Sequence, residues 1–368
     1  MTAPRWSCLI EKDNIANIHI QENLGETDLN QGEIEVAVKC YALTANNITY
    51  ATLGKSFGSW TDMPGYWAFF PSVDEGFGQL PIWGFAEVVK SNHADFKTGE
   101  EFYGYFPMAS HLVMTPGKIS PVSFHDFTDH RTKLAPIYNQ YTRVNEASGI
   151  KDDEKDLWPV FRPLLITGYM ICDQFNEADY YGAEQLVIVS ASSKTAMMTA
   201  RCFDQFDRKP KLIGLTSTGN KQFVEQSGLY DEVLTYGDVA TIDNQRATAL
   251  IDMAGNGAVI DALHHHFTDN LKFSCLVGLS HWDSARPSRN LPGASVVPFF
   301  APGRLKQRSA DWGSDELQSR LGSAWDSFIA LAPSLTTIKY LYGAEDAVKV
   351  YGDLIKGTID PSQSLIIK

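Results

Sequence analysis

The stretch Val-Ile-Val-Ser-Ala-Ser-Ser-Lys-Thr-Ala-Met-Met-Thr-Ala, residues 187–200, decides how the rest of this chain is interpreted. It predicts a buried strand that passes through a short polar turn into an apolar helix. In a doubly wound α/β domain, such a strand, turn and helix place a phosphate group at the helix N-terminus. The turn holds no glycine, although glycine usually lets the backbone approach the phosphate closely. The pattern therefore predicts a nucleotide site of unusual composition.

Length and composition indicate a globular protein of two domains. The chain has 368 residues, of which 44% are hydrophobic and 20% charged, and one core seldom extends over so many residues. The formal net charge of −13 argues against a nucleic-acid partner, because nucleic-acid-binding proteins concentrate Lys and Arg on one face. No apolar run approaches the ~20 residues of a membrane helix. Five scattered cysteines and a polar beginning predict a cytoplasmic protein with free thiols.

The first third of the chain is predicted to be a compact β-rich domain. Residues 32–40 alternate polar and apolar side chains as a half-buried strand does, and residues 85–89 and 111–115 are shorter candidates. Residues 54–84 are dense in Gly, Pro and aromatic side chains with little periodicity, which predicts a long structured loop. Its aromatic side chains either pack among themselves or form the wall of an apolar substrate pocket.

From about residue 164 onward, strands and helices are predicted in alternation, which is typical of a parallel sheet built from βαβ units. Six strands are predicted, at residues 185–190, 211–216, 232–235, 249–252, 273–278 and 295–299. Helices are predicted at residues 167–175, 194–204, 221–226, 258–266, 317–331 and 344–356. The second domain is therefore predicted to be Rossmann-like.

The polar turn offers several groups that can bind phosphate. Backbone N–H groups at a helix N-terminus point outward, and the helix dipole favours an anion there. Side-chain hydroxyl and ammonium donors are added by Ser190, Ser192, Ser193, Lys194 and Thr195. The simpler alternative is that these residues only cap an ordinary helix, since Ser and Thr are preferred caps. An ATP-binding P-loop is not indicated, because the glycines that curl that loop are missing.

The end of the next predicted strand favours a cofactor with a 2′-phosphate. A site that prefers NAD places Asp or Glu there to hold the ribose 2′-hydroxyl. This chain instead offers Ser217, Thr218, Asn220 and Lys221, and Tyr236 follows the next strand. Hydroxyl, amide and ammonium donors suit a phosphate, so we expect NADP(H). The alternative is a solvated turn, in which Asn and Gly are common.

Several further segments follow one another in an order typical of a known superfamily. They are residues 32–36, residues 42–47, the run Phe-Lys-Thr-Gly-Glu-Glu-Phe-Tyr-Gly at 96–104, the turn at 187–197, and the strand ends at 252–255 and 277–279. In this order the chain resembles the medium-chain dehydrogenase/reductase superfamily, and within it the zinc-free quinone oxidoreductase and enoyl reductase branch. The pattern of that branch would place glycines at Ala191, Lys194, Thr195 and Met197. All four are replaced, which indicates a separate subfamily.

The resemblance implies a fold class and a domain division. The fold class is α/β, with a Rossmann-like doubly wound parallel sheet domain inserted into a β-rich GroES-like catalytic domain. Residues 1–150 and 306–368 would form the catalytic domain, and residues 151–305 the nucleotide-binding domain. The active site would then lie in the cleft between the two domains. The carboxyl ends of the strands would supply Gly255, Gly278, Ser280 and Phe300 to the cofactor site.

The sequence also bears on metal ions and catalytic groups. Catalytic zinc needs about three protein ligands, and the zinc-dependent relatives carry Gly-His-Glu where this chain has Gly84-Phe85-Ala86, so we expect no metal site. Carbonyl polarisation or protonation must then come from a side chain or the cofactor ribose. Tyr50 is the first candidate and Asn47 the second, although a Tyr usually packs and an Asn usually closes a turn in a β-domain. His281 is a weaker candidate.

These observations predict an NADPH-dependent, zinc-independent reductase that transfers hydride to a carbonyl, enone or quinone substrate. Two alternatives stay open. In the first, the chain binds NADPH as a sensor or runs a non-redox, lyase-type reaction in the same cleft. In the second, it is a structural protein that has lost nucleotide binding. The expected partners are small molecules, with no nucleic acid and no membrane. A homodimer is possible by resemblance only.

Overall fold

The computed structural model describes residues 5–368, except for the side chain of Ser59. The chain divides into two compact units. The first contains the described residues up to Val160 together with Ile338–Ile359 and Gln363–Lys368. The second contains Phe161–Thr337 and Asp360–Ser362, so it is inserted in the sequence of the first.

The amino-terminal part of the first unit is rich in strands, as predicted, and these strands pair antiparallel. Its elements are β1 (Trp6–Glu11), β2 (Ile18–Glu22), β3 (Ile34–Leu43), α1 (Ala45–Thr52), β4 (Phe77–Gln79), β5 (Pro81–Ser91), β6 (Glu101–Pro107), β7 (His111–Met114), β8 (Pro116–Gly117), β9 (Ser123–Asp126) and β10 (Gln140–Arg143). A three-stranded sheet has the order β2-β1-β4. A larger sheet contains the path β3-β5-β6-β10-β9-β8, and β7 pairs with β3.

The second unit alternates helices and strands, and its first helix begins three residues before the boundary, at Trp158. Its elements are α2 (Trp158–Glu177), β11 (Gln185–Val189), α3 (Lys194–Cys202), β12 (Lys211–Thr216), α4 (Lys221–Ser227), β13 (Glu232–Thr235), β14 (Thr248–Asp252), α5 (Gly257–Phe267), β15 (Leu271–Leu276), β16 (Val296–Pro298), α6 (Ala301–Trp312), α7 (Ser314–Ile329) and α8 (Ala332–Leu335). The chain closes with β17 (Thr337–Leu341), α9 (Gly343–Ile355) and β18 (Gln363–Ile367). Strands β17 and β18 extend the larger sheet of the first unit beside β3.

The six strands of the second unit form one parallel sheet in the order β13-β12-β11-β14-β15-β16. This is the order 3-2-1-4-5-6 of a dinucleotide-binding fold. Apolar side chains of β11, β12, β14 and α5 form a buried core between sheet and helix, which explains why β11 reads as a continuous apolar run. The order reverses between β11 and β14, so a ligand is expected outside their carboxyl ends. The predicted fold class is confirmed.

The two units differ from the predicted domains at both boundaries. The first boundary follows Val160, and the segment after residue 305 stays in the second unit through Thr337. At the second boundary, helix α6 belongs with the second unit, because its Arg304 and Arg308 form ion pairs with Asp173 of α2. Helix α6 is not among the predicted helices, because its polar composition gives no sign of the contact with α2.

The aromatic loop of the first unit is a packed core segment. Phe57, Tyr66, Phe69 and Phe70 are at most 6% exposed. Phe69 and Phe70 contact Tyr105 of β6 edge to face and tilted, respectively, and Phe57 contacts Tyr66 edge to face. Packing therefore accounts for most of this loop, as the simpler interpretation predicts.

Three features are absent from residues 5–368: a membrane-spanning helix, a metal-binding cluster and a disulfide. No helix there is long and apolar enough to cross a membrane. No group of three or more His, Cys, Asp or Glu side chains there converges as metal ligands do. The five cysteines form no disulfide in this part of the chain.

Candidate functional site

The polar turn begins with a strained serine at the carboxyl end of β11. Ser190 has φ of +59°, a conformation that glycine adopts far more readily. Its Oγ lies 3.2 Å from the hydroxyl oxygen of Tyr236. Two hydroxyl groups carry two O–H donors, and only one is used between them. The structure thus brings together two predicted site residues and leaves one donor for a ligand.

Ser192 connects this turn with the end of β12. It is 9% exposed, and its Oγ accepts hydrogen bonds from Thr216 Oγ1 at 3.3 Å and from Asn220 Nδ2 at 3.0 Å. A serine oxygen has two lone pairs, so both are used and the O–H of Ser192 remains a donor. The predicted turn and the predicted 2′-phosphate segment therefore belong to one network. Thr216 was missed because the last residue of a buried strand gives no signal of its own.

The start of α3 serves as a capped helix and still offers backbone donors. Ser193 is the N-cap, and its Oγ accepts the N–H of Ala196 at 3.2 Å. The N–H of Met197 donates to the carbonyl oxygen of Ser193. The backbone N–H groups of Ser192 and Thr195 have no acceptor among residues 5–368. Both interpretations of the turn are therefore compatible: Ser193 caps the helix, and two N–H groups remain for an anion.

Lys194 is held by the segment 360–362 of the same unit. Its Nζ donates to the carbonyl oxygen of Pro361 at 3.1 Å. Burial lowers the pKa of Lys194 to about 8, and the nearby charge of Asp360 opposes that shift only in part. The predicted contact of Lys194 with a pyrophosphate stays a prediction, and it requires this ammonium group to share or leave Pro361.

The lowered pKa of Lys194 gives a stability difference that depends on pH. Between about pH 8 and the ordinary lysine value of 10.5, the unfolded chain binds more protons than the folded chain, so stability rises with pH. We expect the wild type to gain about 1–2 kcal/mol relative to Lys194→Met between pH 7.5 and 9.5. Urea unfolding of both proteins at the two pH values measures this, and parallel pH profiles would contradict the assignment.

The other predicted 2′-phosphate residues lie around the start of α4. Thr218 is exposed and Ser217 half-buried, and both belong to the turn that leads to Asn220. Lys221 donates from Nζ to the carbonyl oxygen of Val233 at 2.8 Å. Ser217, Thr218 and Asn220 thus follow the carboxyl end of β12, and Lys221 begins α4 beside them. Their contact with a 2′-phosphate stays a prediction.

A buried carboxylate organises the carboxyl end of β14. Asp252 is 2% exposed, and it accepts hydrogen bonds from the N–H groups of Ala254 at 3.0 Å and Gly255 at 3.1 Å. Burial raises the pKa of Asp252 to about 6, against the effect of these bonds. Gly255 has φ of +75°, and a Cβ there would meet the carbonyl oxygen of Gly278 at 3.1 Å. The structure therefore brings the predicted residues Gly255 and Gly278 together and adds Asp252, which is not among the predicted site residues.

The remaining predicted cofactor residues follow β15 and β16. Ser280 and Phe300 are half-buried, and Phe300 immediately precedes α6. His281 donates its backbone N–H to Ala254 at 3.0 Å, and its Nδ1 lies 3.2 Å from Nδ2 of Asn256. Burial lowers the pKa of His281, so the neutral ring is favoured at neutral pH.

The two predicted catalytic residues lie on α1 in the first unit. The Oδ1 of Asn47 accepts the N–H of Thr44 at 2.8 Å, and its Nδ2 donates to the carbonyl oxygen of Pro81 at 3.0 Å. Asn47 thus anchors the start of α1 to β5, with one amide hydrogen left over.

The hydroxyl group of Tyr50 belongs to a buried aromatic cluster. Tyr50 is 5% exposed, and its hydroxyl oxygen accepts a hydrogen bond from Nε1 of half-buried Trp83 at 3.2 Å. Its ring packs against Tyr66 and Tyr105. Burial raises the pKa of Tyr50 far above its ordinary value, so the group stays protonated and is a weak acid. Its role in proton donation stays a prediction.

The fold that carries these residues is shared with several solved structures. Similar structures include CurA in complex with NADPH from Vibrio vulnificus, with 14% identity, a TM-score of 0.64, and 100% of this chain and 99% of that chain covered. The CurK enoyl reductase has 14% identity, a TM-score of 0.57 and 99% coverage of both chains. The Etr1p/NADP/crotonyl-CoA complex has 12% identity, a TM-score of 0.57 and 100% coverage of both chains. These likenesses show a shared fold, in which a unit with a parallel dinucleotide-binding sheet is inserted in the sequence of a β-rich unit.

Sequence comparison identifies the protein family to which the chain belongs. Residues 41–360 match the family described as "Protein of unknown function (DUF2855)". The chain belongs to this family, because the match includes both units. No curated protein sequence matches the chain.

Proposed function

We propose that this protein is an NADPH-dependent, zinc-independent reductase that transfers hydride to a carbonyl, enone or quinone substrate. One observation carries the proposal: the hydroxyl network of the polar turn and the end of β12 lies at the carboxyl edge of a sheet with the order 3-2-1-4-5-6. That edge is where folds of this kind bind dinucleotides. Two of the similar structures were solved with NADPH or NADP, which supports the same cofactor here.

The donor set fits a pyrophosphate. Such a group accepts hydrogen bonds only, and the turn offers the N–H groups of Ser192 and Thr195, the O–H of Ser192 and one O–H of the Ser190–Tyr236 pair. Ala191 is buried, and its backbone carbonyl oxygen accepts a hydrogen bond from the hydroxyl group of Tyr230 at 2.9 Å. The turn is therefore fixed without glycine, and side-chain hydroxyl groups replace the close backbone approach that glycine permits.

The residues of the chain would bind and orient the reactants. The nicotinamide group supplies the hydride when NADPH is bound. The carboxylate of Asp252 fixes the turn of Gly255, where a Cβ would meet Gly278 and Leu279, so the wall of the site is rigid. Phe85 and Ala86, at the position of a zinc ligand in zinc-dependent relatives, are buried apolar residues that cannot bind a metal ion. Tyr50 and Asn47 remain the proposed polar groups for the developing oxyanion.

Titration with NADPH and NADH, followed by nicotinamide fluorescence, tests the first half of this proposal. We expect saturable binding of NADPH. Oxidation of bound NADPH by a panel of enones, quinones and aldehydes then tests the reductase activity. Absence of binding to either nucleotide would overturn the proposed function. A homodimer also stays a proposal, which sedimentation of the same sample tests.

Replacement of Lys221 separates the two nucleotides. We expect Lys221→Ala to weaken NADPH binding about tenfold, because a charge-assisted hydrogen bond to the 2′-phosphate is lost. NADH binding should change less than twofold, since NADH lacks that phosphate. Lys211→Ala is the control, because Lys211 begins β12 at the opposite edge of the sheet and pairs with Glu232. Equal weakening of both nucleotides would count against the 2′-phosphate contact.

Binding of NADPH without turnover is the second candidate function. The hydrogen bonds of Asn47 to Thr44 and Pro81 and the buried position of Tyr50 favour it, because neither predicted catalytic group is a freely exposed proton donor. A sensor or a lyase-type enzyme would bind NADPH and leave it unoxidised across the substrate panel.

A further inference from the structure

The cation predicted to bind the 2′-phosphate is already engaged by a carboxylate. Lys221 Nζ lies 2.9 Å from Oε1 of Glu225, one turn later on α4. The side chains of Lys221 and Glu225 are 35% and 50% exposed. With the bond to Val233 at 2.8 Å, two of the three ammonium hydrogens are used, and one remains for a ligand.

A second carboxylate adds to this environment. The Oδ2 of Asp238 accepts hydrogen bonds from the N–H of Thr235 at 3.0 Å and from its Oγ1 at 2.7 Å. These bonds lower the pKa of Asp238, and the charge of Lys221 lowers it further, so Asp238 is ionised at neutral pH. Two carboxylates therefore interact with Lys221, and their negative charges offset part of its attraction for an incoming anion.

We propose that Glu225 limits the preference of this protein for a 2′-phosphorylated dinucleotide, because it competes with the 2′-phosphate for Lys221. This inference rests on the proposed function. Glu225 does not touch the nucleotide in this proposal; it is a positioning residue that acts through Lys221. The consequence is a moderate preference for NADPH, with measurable NADH binding.

The geometry of the pair makes such competition feasible. In a helix, Lys placed four residues before Glu is the weaker of the two orientations of an ion pair. Exposed pairs of this kind contribute little to stability. A phosphate that carries nearly two negative charges can therefore displace Glu225, but it must do so against the repulsion of the remaining carboxylate.

Replacement of Glu225 by the neutral isostere tests the proposal. We expect Glu225→Gln to tighten NADPH binding about threefold to tenfold, because Lys221 is released and one repulsive charge is removed. NADH binding should change less than twofold. Glu232→Gln is the matched control: it breaks the Lys211–Glu232 pair, whose side chains are 42% and 40% exposed and which does not include Lys221.

Two further readouts distinguish a positioning role from a structural one. The increase in NADPH affinity caused by Glu225→Gln should become smaller at 0.5 M salt, because exposed charges are screened at that salt concentration. It should also fall below twofold in the Lys221→Ala background, because the group through which Glu225 acts is then absent.

The outcomes separate this inference from the proposed function. If the wild type binds neither nucleotide, the proposed function fails. If Lys221→Ala weakens NADPH binding while Glu225→Gln behaves like Glu232→Gln, the proposed function stands and the role of Glu225 is refuted. An equal change in NADPH and NADH binding by Glu225→Gln also refutes it, because a structural effect would not distinguish the two nucleotides.

Discussion

Asp173→Ala should lower the free energy of unfolding by about 3 kcal/mol, the cost typical of breaking a buried ion pair. Asp173 lies in α2 and is 4% exposed. Its Oδ2 accepts hydrogen bonds from Nε of Arg304 at 2.6 Å and from Nε of Arg308 at 2.7 Å. Both arginines are only 8% exposed. Removal of their shared carboxylate leaves two buried cations whose remaining partners, such as Glu177, are partly exposed to solvent.

Glu177→Gln is the control for this prediction. Glu177 contacts the same two arginines, but its side chain is 48% exposed, and water can replace the charge that is lost. We expect a loss below about 1 kcal/mol. Urea unfolding followed by circular dichroism compares the two variants with the wild type. If both variants lose the same free energy of unfolding, the burial of Asp173 does not strengthen its ion pairs between α2 and α6.

Thr195→Glu should weaken NADPH binding at least 30-fold without loss of stability. Thr195 is half-buried in the first turn of α3, and its backbone N–H has no acceptor among residues 5–368. A carboxylate there interacts favourably with the helix dipole and stabilises the folded protein by about 0.3–1 kcal/mol. The same charge would repel a pyrophosphate at the helix N-terminus by roughly 2 kcal/mol or more at an intermediate effective dielectric constant.

Thr195→Gln separates charge from size in this experiment. Gln has the shape of Glu without its charge, so we expect at most a fewfold weakening of NADPH binding. Fluorescence titration gives the affinity, and a thermal unfolding curve confirms that both variants are folded. If Thr195→Glu binds NADPH as tightly as Thr195→Gln, the pyrophosphate does not bind at this turn and the proposed orientation of the cofactor is wrong.

Most of the second unit could be predicted from the sequence, because its signals are local. The apolar run at 185–190 and the polar turn that follows correspond to β11 and the start of α3, since a strand buried on both faces needs continuous apolar residues. All six predicted strands are present in one parallel sheet. By contrast, α6 has few apolar residues, and its place depends on ion pairs with a helix more than a hundred residues earlier.

The details of the candidate site were less predictable, because they depend on contacts between distant residues. The spacing of Ser190 and Tyr236 in the sequence does not indicate that their hydroxyl groups lie 3.2 Å apart. The sequence does not indicate the contact of Lys194 either, because its hydrogen bond to Pro361 joins residues 167 positions apart. The capping role of Asn47 is short-range, but its second bond to Pro81 again depends on strand pairing.

The opening stretch at residues 187–200 determined the fold class and the edge of the sheet at which a nucleotide is expected, because periodicity and turn composition are properties of the local chain. Only the tertiary structure decided which donors remain for that nucleotide. Ser192 keeps its O–H because Thr216 and Asn220 use its lone pairs, and Lys221 keeps one hydrogen because Val233 and Glu225 use the others. Hydrogen-bonding capacity is shared among neighbours in space, and the sequence does not list those neighbours.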